Sequence, residues 1–65
     1  MGAQMEQIYK IVEEKAGTAA RIELASKTGI SRKKALELDD NPDDVAALRN
    51  AAAQITGLDI DNLLG

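Results

Sequence analysis

The chain has no cysteine, no histidine, no phenylalanine and no tryptophan, and only one tyrosine, Tyr9, and one proline, Pro42. Without cysteine there is no disulfide staple and no thiol chemistry, which fits a reducing compartment. Without histidine or cysteine the commonest general base, nucleophile and transition-metal ligands are missing. Ser26 and Ser31 lack a general-base partner apart from lysines. No glycine-rich phosphate loop is present, since Gly17 and Gly29 stand alone. These absences argue against an enzyme and against a bound cofactor. With Tyr9 the one side chain able to stack a base, single-stranded nucleic acid is a poor fit too. No run approaches the ~18 apolar residues of a membrane span, and no secretory signal is visible, so the cytoplasm is the expected location.

What is present is aliphatic and small. Eleven Ala, seven Leu, six Ile and two Val must build the interior of a 65-residue chain. A chain of this length buries only ~60% of its unfolded surface. Its stability is expected to be a few kcal/mol, unless it dimerises or belongs to something larger. Residues 1–4, ahead of Met5, are set aside as a candidate expression remnant, leaving a single domain over residues 5–64. The formal charge of −3 is unevenly spread. Residues 1–36 carry seven Lys/Arg against four Glu, whereas residues 37–65 carry one Arg against seven acids. A whole-chain basic character is absent, so any attraction to phosphate must come from a local face.

The spacing predicts five helices and no strands. Met5, Ile8, Ile11, Val12 and Ala16 recur at helical steps, giving a first helix over about Gln4 to Ala16. Gly17 stops it, and Thr18 caps a second over about Ala19 to Lys27. A short third helix, about Arg32 to Leu38, turns Ala35 and Leu38 inward. The fourth has the clearest start: Asn41 as N-cap, Pro42 at the first helical position, then Asp43 and Asp44 in the positive first turn. Its stripe of Val45, Leu48, Ala52 and Ile55 fits either the core or a partner helix, and Gly57 ends it. A last turn spans Asp59 to Leu64. The expected class is all-α, a small bundle.

At its centre, Leu24, Ala25, Gly29, Ile30, Ala35 and Leu38 fall where two short helices crossing at a tight turn need apolar or small residues. Ala25 suits the closest approach, Gly29 a positive φ in the turn, and Ser31 the cap of the following helix. The arrangement resembles the helix-turn-helix of the lambda-repressor-like family, the Cro and repressor proteins of bacteria and phage. Pro42, the alanine-rich stretch Ala46 to Ile55 and the closing Gly57-Leu58-Asp59-Ile60-Asp61-Asn62-Leu63 extend the likeness to residues 5–64. Family members usually carry a longer, often basic loop where this chain has Asp39-Asp40-Asn41. The resemblance implies a transcription regulator, or the DNA-binding module of a larger protein. By position it implies that Ser31, Arg32 and Lys33 contact double-stranded DNA, with Arg21 near the phosphates. Leu36 and Glu37 would face the duplex as well, and neither is at ease there.

Arg32, Lys33 and Lys34 need an explanation of their own. They occupy a helical first turn, where the macrodipole disfavours each cation by roughly 0.3–1 kcal/mol. A phosphate backbone would reverse that penalty. The plainer alternative is a set of solvated charges pairing with Asp39, Asp40 or neighbouring acids. The acidic run matches the first three alternating ligands of a calcium loop at Asp39, Asn41 and Asp43. The match then fails, with Asp44 where the turning glycine belongs and Asn50 where a bidentate Glu belongs, so no metal is expected. The rival to DNA binding is a protein-interaction or dimerisation module of the same fold, using the acidic half or the Val45–Ile55 stripe.

Overall fold

The structure, a computed structural model, describes residues 3–64, and among them the chain forms four helices and no strand. These are α1 (Ala3–Thr28), α2 (Arg32–Glu37), α3 (Pro42–Thr56) and α4 (Ile60–Leu64). The all-α expectation holds, but with four helices rather than five. The two segments expected on either side of Gly17 are one element. Gly17 has φ 88° and ψ −179°, far from helical values, so the break is where the sequence places it. One residue absorbs the whole change of direction, and no loop separates the two halves.

The ends of the other helices follow their sequence signals closely. Asn41 caps α3, its side-chain oxygen accepting from the Asp43 amide at 2.9 Å, and Pro42 sits in the first turn. Ser31 caps α2 by accepting from the Lys34 amide at 3.2 Å. Asp59 does the same for α4, accepting from the Asn62 amide at 3.2 Å. Each cap satisfies a backbone donor that has no partner within its own helix.

The ends of α1 and α3 share one device. At Thr28 the hydroxyl donates to the Leu24 carbonyl at 2.8 Å and accepts from the Ile30 amide at 3.2 Å. At Thr56 it donates to the Ala52 carbonyl at 2.7 Å and accepts from the Leu58 amide at 3.2 Å. In both cases the next residue is a glycine of positive φ, Gly29 and Gly57, whose amide reaches back four residues. A Thr-Gly-apolar-cap sequence thus turns α1 into α2 and α3 into α4.

The core lies mainly between α1 and α3. Met5, Ile8, Tyr9, Val12, Ala20 and Leu24 from α1 pack with Val45, Leu48 and Ala52 from α3, closed by Ile30, Ala35 and Ile60. The Val45–Leu48–Ala52 stripe is therefore interior, and Ile55 is partly buried against it. Tyr9 is fully buried rather than available for stacking, and its hydroxyl donates to the Ile30 carbonyl. Two inward expectations fail, since Ala16 beside the Gly17 break is exposed and Leu38 is 42% exposed, while Ala25 is partly buried against the core. Leu38 follows the last residue of α2 in an extended conformation (φ −82°, ψ 150°), so the helical period that predicted its direction has already ended.

Candidate nucleic-acid interface

The candidate site is the corner where α1 turns into α2. Helix α2 is six residues long and packs on α1 and on no other helix among those described. Its small buried residue, Ala35, lets it lie close to α1, while Arg32, Lys33 and Lys34 remain exposed. The turn before it is pinned from the core side by Ile30, whose side chain is buried and whose carbonyl accepts the Tyr9 hydroxyl. Burial pushes the Tyr9 phenol above its ordinary value, with Thr28 and the charge of Arg21 acting in the opposite direction. Tyr9 thus couples the packed interior to the backbone that positions Ser31 and Arg32.

The four residues expected to contact DNA fall at this corner, each in a distinct setting. Ser31 is partly buried, and its oxygen is engaged as the α2 cap. Lys33 is exposed, and neither it nor Lys34 forms a salt bridge among the described residues. Arg21 and Arg32 are both drawn to Glu13. Arg32 Nη1 lies 3.1 Å from Glu13 Oε2 and Arg21 Nε lies 3.7 Å from the same oxygen. The Arg32 contact is also a hydrogen bond.

Glu13 belongs to no motif and to no apolar stripe of the sequence. Its partners lie eight and nineteen positions later, beyond the Gly17 break and on another helix, so no i,i+4 rule points to them. The alternative of pairing with Asp39, Asp40 or neighbouring acids is met for Arg32 by another acid, Glu13, and not by the Asp39–Asp40 pair. Asp40 instead accepts the Gln4 amide at 3.1 and 3.2 Å and the Met5 amide at 3.4 Å, placing a carboxylate at the positive end of α1.

The acidic half is largely occupied by the fold itself. Asp43 and Asp44 sit in the first turn of α3, and Asp59 caps α4. Arg49, the one cation beyond residue 36, has its Nε 3.0 Å from Asp61 Oδ1. No group of three or more acidic, His or Cys side chains is placed to hold a metal among the described residues. No helix there is long and apolar enough to cross a membrane. Three large apolar side chains are exposed in the segment that carries the corner: Ile22 at 58%, Leu36 at 44% and Leu38.

No protein-family model matches the chain, and neither does any curated protein or solved structure. The resemblance to lambda-repressor-like domains therefore rests on the residues and their spacing alone.

Proposed function

We propose that this domain binds double-stranded DNA through the α1–α2 corner, with α2 presented to the duplex in the manner of a helix-turn-helix. The observation that carries the reading is the row Arg32, Lys33 and Lys34. All three are exposed on a helix supported from one side only, and the two lysines have no carboxylate partner among the described residues. In an isolated domain the macrodipole opposes cations in a first turn. Phosphate is the ligand that makes this placement favourable. Arg21 and Lys27, on the α1 side of the turn, extend the basic surface, so residues 21–34 hold five cations against Glu23. Ser31, already oriented by its capping bond, stands at the same edge.

The test is a salt titration against mixed-sequence duplex DNA. Three or four phosphate contacts predict a slope of log affinity against log salt of about −3 to −4. Arg32→Glu combined with Lys33→Glu is expected to abolish binding and leave helical content intact, because both side chains are exposed. Absence of binding at low salt would refute the reading.

A second reading is favoured by Ile22, Leu36 and Leu38. Exposed apolar side chains within the corner's own segment suit a protein partner or a second copy of the chain better than they suit phosphate. It predicts self-association or partner binding that Leu36→Ser with Leu38→Ser removes. The Val45–Ile55 stripe does not contribute to this alternative, since it is committed to the interior.

A further inference from the structure

One carboxylate oxygen at this corner draws in two arginines from different helical segments. Glu13 Oε2 is shared by two guanidinium groups, Arg32 at 3.1 Å and Arg21 at 3.7 Å. One arginine comes from α1 beyond the Gly17 break and the other from the first residue of α2. Glu13 itself comes from the part of α1 before the break. All three side chains are partly open to solvent, between 31% and 44% exposed, so an external anion can reach the arginines from outside.

An exposed carboxylate holding two arginines contributes little to stability, because solvent screens such pairs and ordering long side chains is costly. Its larger consequence is to cancel part of the positive charge on the corner.

We propose that Arg21 and Arg32 form a two-arginine clamp for a single backbone phosphate of duplex DNA, and that Glu13 occupies this clamp until the phosphate displaces it. This inference rests on the DNA-binding reading above. Arg32 turns from Glu13 to the phosphate with its charge-assisted hydrogen bonding conserved, and Arg21 follows with a contact that is already long. Glu13 is thus a built-in competitor that lowers affinity and sets how much of the corner's charge is available to DNA. Lys33 and Lys34, which it does not touch, bind phosphate independently of it.

The test compares Glu13→Gln with Glu14→Gln. Both remove one negative charge from adjacent positions, but only Glu13 contacts the arginines. Affinity for a mixed-sequence duplex is measured by fluorescence anisotropy over a range of salt. Glu13→Gln is expected to tighten binding about three- to tenfold and steepen the salt slope by about one unit. Glu14→Gln, acting only through screened long-range charge, is expected to change affinity about twofold or less. Equal effects of the two variants, or no effect of Glu13→Gln while the unmodified chain binds DNA, would overturn the clamp and leave the DNA reading standing. Failure of both the unmodified chain and Glu13→Gln to bind would overturn both.

A second measurement on the unmodified chain does not depend on how the variants fold. Adding duplex DNA is expected to shift the Arg21 and Arg32 Nε–H signals together with the Glu13 carboxyl carbon. Signals that stay in place while the Lys33 and Lys34 amides respond would contradict the proposal. Inorganic phosphate at the same phosphate concentration is expected to leave them in place, and a full shift there would assign the clamp to free phosphate instead.

Discussion

The molecule turns the same kind of corner twice and uses the two corners differently. Thr28-Gly29-Ile30-Ser31 leads from α1 into α2, and Thr56-Gly57-Leu58-Asp59 leads from α3 into α4. Threonine bonds, glycine φ and capping side chain correspond one to one. The anchoring differs. At the first corner the residue after glycine, Ile30, is buried, and α2 follows with three exposed cations. At the second the residue after glycine, Leu58, is exposed, and burial passes to Ile60, two positions on. Helix α4 then packs on both α1 and α3, and its Asp61 takes up Arg49. Local turn chemistry settles the shape of a corner, while the residues after it decide whether the next helix closes the core or faces outward.

The strongest way to break this contrast is to truncate the anchors. Ile60→Ala and Ile30→Ala are each expected to cost about 2–4 kcal/mol, whereas Leu58→Ala should stay within about 0.5 kcal/mol. Urea unfolding of the three variants measures the difference. Comparable losses at Leu58 and Ile30 would mean that the corners are anchored alike.

A smaller effect separates both corners from the break inside α1. The two corner glycines have φ near 70°, a left-handed conformation that costs an alanine roughly 1–2 kcal/mol. Gly17 combines φ 88° with ψ −179°, a region essentially confined to glycine, so Gly17→Ala should cost about 1–3 kcal/mol. An added methyl meets nothing within 4 Å at any of the three, so the cost is conformational and not steric crowding. A Gly17→Ala chain of unchanged or higher stability would show that the two halves of α1 straighten without penalty.

Smallest is the hydroxyl that only the first corner uses. Tyr9→Phe leaves the Ile30 carbonyl without its donor and is expected to cost about 1 kcal/mol. Because the folded phenol titrates above its ordinary value of 10.0, the unfolded chain loses that proton first. The contribution is therefore complete below pH ~10 and declines as pH rises through and beyond it. Urea midpoints measured across this range should fall less steeply for Tyr9→Phe than for the unmodified chain. Identical slopes would detach Tyr9 from the alkaline loss.

Much of this was legible in the chain, for reasons that are local. Asn41-Pro42-Asp43-Asp44 announces α3, Gly57 ends it, and Ser31 caps α2, because each satisfies backbone groups within three or four residues. What escaped depends on distant parts of the chain or on where a period stops. Leu38 is the case of a period that stops, since α2 has ended before it. Tyr9 sits four residues after Met5 on the buried face, yet its polar tip hid it, and the Ile30 carbonyl that receives that tip is 21 positions away. At the candidate site, the family resemblance singles out Arg21, Ser31, Arg32 and Lys33 by position. It does not single out the carboxylate shared by the two arginines, since Glu13 belongs to no local pattern with either.

The contrast between the corners is tested most directly by backbone amide shifts recorded as mixed-sequence duplex DNA is added at low salt. The shifts are expected to cluster on residues 21–34 and to spare the acidic segment 39–44 and the second corner, residues 56–62, although that corner has the same local geometry. No shift anywhere, or shifts centred on 56–62 or on the acidic segment, would contradict the proposal that the first corner is the DNA-binding face.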